Sequence, residues 1–187
     1  MRAFGSGWML VAVMATAGGC ASHKGAKPDA RPVTQTASHT TGTADTLWCV
    51  MKAGGHDVLR LTLPTNAKCT PRDGSLSVES HTHEVVNIWL VPDAKTVDEG
   101  AARVEKVIDR EFRDFQATGT TATTIAGAPA KRLAGSGVEA DDRDPGTADV
   151  VVFKVTNHTF IACTHGEYLS PDAQKWMMTV VQTAQKP

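Results

Sequence analysis

The chain has 187 residues, of which 41% are hydrophobic and 21% are charged, and its formal net charge is -1. At ~150 residues per domain this length gives one domain plus additional chain, and the composition is that of an ordinary globular protein. The near-zero charge argues against a general nucleic-acid binder, and an aromatic content of 5% argues against a large stacking platform for bases or glycans.

The N-terminal part of the chain has the composition of an export signal. Arg2 precedes a charge-free run whose apolar core is residues 8–15, and small residues lead from there to Cys20. A positive start, a short apolar core and a small-residue cleavage region predict a secretory signal peptide over residues 1–19. An uncleaved transmembrane helix and ordinary secretion are the alternatives. The apolar core of about 10 residues is shorter than the ~20 that a spanning helix needs.

The segment Ala17-Gly18-Gly19-Cys20 resembles the lipobox of bacterial lipoproteins. The resemblance implies that Cys20 becomes the new N-terminus and carries two or three acyl chains, palmitate among them, which anchor a protein stably to a membrane. Ala21 follows the cysteine, and by resemblance to enterobacterial sorting it implies transfer to the outer membrane. The predicted location is therefore the bacterial cell envelope, with the protein lipid-anchored and facing the periplasm.

Residues 20–45 predict a lipidated cysteine followed by a flexible tether. Thr, Ser, Gly, Ala and Pro dominate the segment, and Val33 is its one large apolar side chain. Such a composition buries too little surface to offset the entropy of ordering the chain. A tether of this length has a root-mean-square reach of ~25–30 Å. The globular domain is predicted to occupy residues 46–187.

The first part of this domain predicts a series of strands. Runs rich in large apolar residues or alternating between apolar and polar residues are separated by Gly and Pro. They place strands at residues 46–52, 57–63, 75–79 and 84–91.

One long helix is predicted next. Thr96 and Glu99 match a capping box, which marks the start of a helix. The apolar residues that follow recur at spacings of three and four, which predicts about five helical turns ending at Gly119. The stripe consists of Val97, Ala101, Val104, Ile108, Phe112 and Phe115.

The last third of the chain predicts further strands and a closing helix. The expected elements are strands at 123–125 and 127–133, a loop over 135–147, and a hairpin of residues 150–155 and 160–164. Ser170 and Pro171 then supply an N-cap and a proline at the first helical position. The apolar stripe of that helix is Ala173, Trp176, Met177, Val180, Val181 and Ala184.

The order of these elements predicts an α+β domain in which an antiparallel β-sheet is flanked by helices. The strand end at Leu63-Pro64, the strand stop at Pro92, the long helix, the strand entry at 127–133, the late hairpin and the closing helix resemble the Mog1/PsbP-like group. The resemblance covers about residues 58–185 and implies an αβα sandwich. Members of that group serve as photosystem subunits, a small-GTPase partner and envelope lipoproteins, so the fold does not fix a function.

Three cysteines lie in the predicted domain, and an exported protein can form disulfides. Cys49, Cys69 and Cys163 allow one bridge and one free thiol in three pairings, among which the sequence cannot choose. We favour Cys49–Cys69, since Cys163 falls in a predicted buried strand. The chain has no Cys-x-x-Cys motif, which argues against thiol oxidoreductase activity.

The candidate metal ligands are His81, His83, His165 and Glu167. Two histidines two residues apart in an extended chain point to the same side, and imidazoles with a carboxylate suit zinc or copper. A site would require the two segments to meet in space. We expect surface residues at strand ends and no cofactor, and we keep the metal site as the alternative.

The sequence as a whole predicts a lipid-anchored envelope protein without catalytic activity. The expected role is binding or an accessory function, with the membrane engaged through the lipid anchor and an envelope protein or a small ligand as the partner. No nucleic-acid partner is expected. The alternative is a metal-binding lipoprotein that uses His81, His83 and His165.

Overall fold

The computed structural model describes residues 46–187, and the predicted signal peptide, Cys20 and the predicted tether lie outside these residues. None of the described helices is long and apolar enough to span a membrane. The described residues form the strands β1 Thr46–Ala53, β2 His56–Pro64, β3 Lys68–Arg72, β4 Ser75–Glu79, β5 Val85–Val91, β6 Phe112–Ile125, β7 Ala128–Glu139, β8 Pro145–Val155 and β9 His158–Gly166, and the helices α1 Val97–Ala101, α2 Val104–Ile108 and α3 Pro171–Gln182.

Seven of the strands form one antiparallel sheet in the order β3-β4-β5-β9-β8-β7-β6, and β1 and β2 form a separate hairpin. Neighbours in this order are also neighbours in sequence, except where β5 pairs with β9, with Asn87 opposite Cys163. The predicted antiparallel sheet with helices is therefore confirmed.

The sheet carries a hydrophobic cluster on each face. In β9, Phe160 and Ala162 point to one face, and Ile161 and Cys163 point to the other. The hairpin β1–β2 and α3 cover the first face, whereas α1, α2 and aromatic side chains of β6 cover the second. Because a β-hairpin forms much of one layer and the helices of the other are only five residues each, the arrangement is not a clear αβα sandwich.

The predicted long helix is wrong beyond its first turns. The N-cap is confirmed, since the Thr96 hydroxyl accepts a hydrogen bond from the Glu99 amide at 3.1 Å. The helix stops at Ala101, a second short helix follows, and residues 112–125 are strand β6. Much of that segment is threonine, which favours a strand over a helix interior.

A β-bulge explains why β6 imitates a helical pattern. Phe112 and Phe115 are three residues apart and would face opposite sides of a regular strand. The register of β6 against β7 shifts between Arg113 and Gln116, and Asp114 has a φ of 52°. The one extra residue turns both phenylalanines onto the same sheet face, where they are buried. The helical spacing was thus produced by a bulge.

Other strand boundaries also differ from the prediction. The predicted loop at 135–147 is mostly strand, because β7 runs to Glu139 and β8 begins at Pro145. Strand β3 was missed: its sequence, Lys-Cys-Thr-Pro-Arg, has no apolar alternation. The N-cap of α3 is as predicted, with the Ser170 hydroxyl accepting from the Ala173 amide at 3.0 Å and Pro171 in the first turn.

Gly100 lets α1 approach the sheet closely, and its replacement is expected to be costly. A Cβ at this position would lie 2.6 Å from Thr159 Cγ2 and 2.8 Å from Val152 Cγ1, both in the sheet. Overpacking of this kind costs about 1–3 kcal/mol, so Gly100→Ala should lower the free energy of unfolding by that amount in urea titrations. Gly119→Ala is the control, because a Cβ there meets nothing within 4 Å. Equal stability of the two variants would contradict the close packing of α1.

Candidate functional site

A groove of about 460 Å³ opens beside α3, and we call it the α3 groove. One wall is the exposed side of the helix, and the other comes from the end of β2 and the turn between β4 and β5. It is lined by Pro64, Asn66, Ser80, His81, Thr82, Glu84, Asp172, Lys175, Trp176 and Thr179. Three segments that are distant in sequence therefore meet at this site.

The amphipathic pattern of α3 determines which side chains it gives to the groove. Its stripe of Ala173, Met177, Val180 and Val181 is buried against the sheet. The side chains of Asp172, Lys175 and Thr179 consequently remain exposed on the groove side. Trp176 lies between the two sides, half-buried, with an indole N–H that has no hydrogen-bond partner among the described residues.

The β4–β5 turn is held by hydroxyl groups. The Ser80 side-chain oxygen accepts hydrogen bonds from the amides of Thr82 at 3.1 Å and Glu84 at 3.0 Å. The Ser80 hydroxyl in turn donates to Glu84 Oε2 at 2.5 Å, and the Thr82 hydroxyl donates to the same oxygen. This closed network stabilises the turn, at whose tip His83 has a positive φ of 70°.

These contacts set the charge state of two glutamates. The hydroxyls of Ser80 and Thr82 lower the pKa of Glu84, because they donate to its ionised form. Hydrogen bonds from His83 and Lys68 lower the pKa of Glu79 in the same way. His83 Nδ1 lies 2.8 Å from Glu79 Oε1. Both carboxylates are therefore ionised at neutral pH. Each already accepts hydrogen bonds from neighbouring side chains.

The structure does not bring the predicted metal ligands together. His81 lies in the α3 groove, and His83 pairs with Glu79 at the turn. His165 lies on the opposite face of the sheet, 5.5 Å from the Phe112 ring by centroids, with Nδ1 3.5 Å from Glu139 Oε1. Glu167 follows β9 and is exposed. Within residues 46–187, no three His, Cys, Asp or Glu side chains are grouped as a metal site.

The structure joins Cys49 of β1 to Cys69 of β3 in a disulfide, with Cα atoms 6.1 Å apart. This pairing is the one that we favoured. The bridge connects the separate hairpin to an edge strand of the large sheet. Cys163 has a free thiol and is buried, and burial raises the pKa of this thiol, with a further contribution from Asp149. Its reactive thiolate form is therefore suppressed, which argues against a nucleophilic role.

A buried ion pair on the α3 face was missed by the sequence analysis. Asp149 of β8 is 1% exposed, and Arg132 of β7 donates to it through Nε at 2.9 Å and also through Nη2. Arg132 Nη2 also donates to Gln174 Oε1 of α3 at 3.1 Å. The signal in the sequence is a single aspartate beside the apolar run of β8, directly before the strand predicted at 150–155.

No family model matches the chain, and no curated protein matches it. Among solved structures, the chain is similar to the solution structure of cyanobacterial PsbP (CyanoP) from Synechocystis sp. PCC 6803, at 12% sequence identity and a TM-score of 0.46. The alignment covers 78% of this chain and 95% of that one. The likeness assigns no ligand, partner or activity to the chain.

Proposed function

We propose that this chain is a lipid-anchored protein of the bacterial cell envelope whose domain binds an envelope protein or a small ligand in the α3 groove, without catalysis. The observation that carries the binding role is the groove itself, because it combines an aromatic side chain, Trp176, with exposed groups of both charges. Recognition sites commonly combine an apolar surface with a few polar groups that fix orientation.

The polar groups of the groove divide into two sets. Ser80, Thr82 and Glu84 bond one another and hold the turn in place. Asp172 and Lys175 are one turn apart on α3 and exposed, so they are available to a partner. The groove therefore has one wall held by hydrogen bonds, the β4–β5 turn, and one wall with free charged side chains, α3. This combination suits binding.

The state of Glu84 favours binding over acid–base chemistry. Two hydroxyl donors lower the pKa of this carboxyl, which makes it a poor proton donor and a weak base near neutral pH. His165 and Cys163 belong to the opposite face and cannot contribute to this groove.

The lipid anchor is supported by the sequence Ala17-Gly18-Gly19-Cys20 and by the polar tether that follows it. The test is the intact mass of the protein recovered from its native membrane, with Cys20→Ser as the control. We expect a mature N-terminus at Cys20 with two or three acyl chains. A full-length mass without lipid would overturn the anchor and leave the groove proposal standing.

Binding in the groove is tested by placing a photo-crosslinking amino acid at Lys175 in the membrane-attached protein. The matched control is Lys106, an exposed lysine of α2 on the opposite face of the sheet. We expect a discrete adduct from position 175 that is lost when Thr179→Arg blocks the groove, and no such adduct from position 106. A small ligand would instead appear as additional mass in native mass spectrometry, lost in Thr179→Arg. The same result at both positions, or neither signal, would contradict the proposal.

A further inference from the structure

The two edges of the seven-stranded sheet are protected very differently. At one edge, β3 carries Lys68, Pro71 and Arg72, is tied to β1 by the disulfide, and is flanked by a bridge between Lys52 and Asp73. Charges, proline and covering segments are the usual means by which proteins block an edge strand. At the other edge, β6 is 14 residues long and has no strand beyond it among the described residues.

From Phe115 onward, strand β6 lacks the charges and the proline that protect β3. From Phe115 to Ala130 the chain has no charged residue, and Pro129 lies on the neighbouring strand. Residues 116–122 are exposed. The two bulges of β6 lie at its beginning, and from Gly119 to Ile125 the pairing with β7 is regular. The part of β6 from Gly119 to Ile125 is therefore a regularly paired, uncharged edge that can accept another strand.

The hairpin turn determines which backbone groups of β6 face outward. Ala126 and Gly127 form a two-residue turn with φ values of 49° and 80°, between the paired residues Ile125 and Ala128. In such a hairpin the pair that flanks the turn is hydrogen-bonded, and bonded and non-bonded pairs then alternate. Thr120, Ala122 and Thr124 consequently direct their N–H and C=O groups away from β7.

The end of α3 bears out this assignment. Gln182 Nε2 donates to the Thr124 carbonyl oxygen at 2.9 Å, and Gln182 Oε1 accepts from the Ala126 amide at 2.9 Å. The Thr124 carbonyl therefore points away from β7, where the Gln182 side-chain amide takes the place of a residue on an adjoining strand. This amide covers the edge only beside the turn, and no other group of the described residues bonds the outward side of Thr120 or Ala122.

We propose that β6 is an interface at which a second copy of this chain adds its own β6 in antiparallel orientation. A two-fold axis at Ala122 places Ala122 opposite Ala122 of the second copy and Thr120 opposite Thr124. Self-pairing brings identical side chains close together, and an uncharged strand does so without repulsion between like charges. The Thr124 carbonyl exchanges its bond with Gln182 for one with the second copy.

The test uses the membrane-extracted full chain in mild detergent, with its mass measured by sedimentation over a range of protein concentrations. We expect a dimer for the unchanged protein. Ala122→Glu should weaken dimerisation at least tenfold, because the axis sets two carboxylates against each other. In the monomer the new glutamate lies opposite Lys131, so folding is preserved. Ala102→Glu, at an exposed alanine directly after α1, is the control and should dimerise as the unchanged protein does.

A second measurement checks the pairing in the membrane. Opposed residues in a hydrogen-bonded antiparallel pair have Cα atoms ~5.5 Å apart, a distance at which cysteines can be bridged. Ala122→Cys should therefore form a disulfide-linked dimer under mild oxidation, whereas Ala134→Cys should not. A monomer at all concentrations, or equal crosslinking of the two variants, would overturn the proposal.

Discussion

Arg132→Ala is expected to lower the free energy of unfolding by about 3–5 kcal/mol, because it leaves a buried carboxylate without its cation. The Asp149 side chain is 2% exposed, and the hydrogen bonds given to it by the described residues come from Arg132. Asp149 raises the pKa of Arg132 through these bonds, so the guanidinium stays charged across the accessible pH range. Urea titration followed by circular dichroism measures the loss.

The neighbouring lysine provides a matched control for this prediction. Lys131 pairs with Asp98 at 2.5 Å, but Asp98 is 77% exposed. A solvated pair contributes under about 1 kcal/mol, so Lys131→Ala should have little effect. Removing both partners, by Arg132→Met with Asp149→Leu, should cost less than Arg132→Ala alone, since no charge is then left buried. A double variant less stable than the single one would refute the explanation.

Reduction of the Cys49–Cys69 disulfide is expected to lower the free energy of unfolding by about 3 kcal/mol. The two cysteines are 20 residues apart, and opening a loop of that size returns this amount of chain entropy to the unfolded state. Hairpin β1–β2 is not hydrogen-bonded into the large sheet as a strand, so the bridge and the hydrophobic cluster hold it in place. The measurement compares urea unfolding with and without dithiothreitol.

Cys69→Ala separates the effect of the bridge from other effects of the reductant. Cys69 is half-buried, so its truncation leaves only a small cavity, whereas Cys49 is 2% exposed. The variant should be destabilised to the level of the reduced protein and should not respond to dithiothreitol. If the unchanged protein is equally stable in both conditions, the bridge makes no contribution.

The sequence predicted the elements whose signals are local. The Thr96 and Ser170 caps are formed as expected, and the alternating pattern before Pro64 gives β2. The sequence failed where a tertiary feature imitates a local one. Phe112 and Phe115 have helical spacing because the bulge at Asp114 rotates one of them onto the face of the other. The register of β6 against β7 determines which face each phenylalanine occupies. The sequence pattern of one element does not contain that register.

The candidate site was less accessible to prediction than the fold. The α3 groove joins Pro64, the turn at Ser80 and the helix at Lys175, which become neighbours only through the strand order. The His81-Thr-His83 spacing suggested metal binding. In the structure, the same turn is held by hydrogen bonds from the Ser80 and Thr82 hydroxyls to Glu84. The sequence analysis missed Asp149 and Arg132 because these residues become neighbours only through the pairing of β7 with β8.

The pairing of β5 with β9 has a consequence for the order in which the domain assembles. Strands β3 to β5 and strands β6 to β9 each pair with their sequence neighbours, so both parts can form early, since short loops close quickly. The β5–β9 contact joins residues near Asn87 to residues near Cys163, and it must wait for the last strand of the chain. A nascent chain that ends before Phe160 therefore presents a bare, apolar β5 edge, and completion of β9 is the step that closes the sheet.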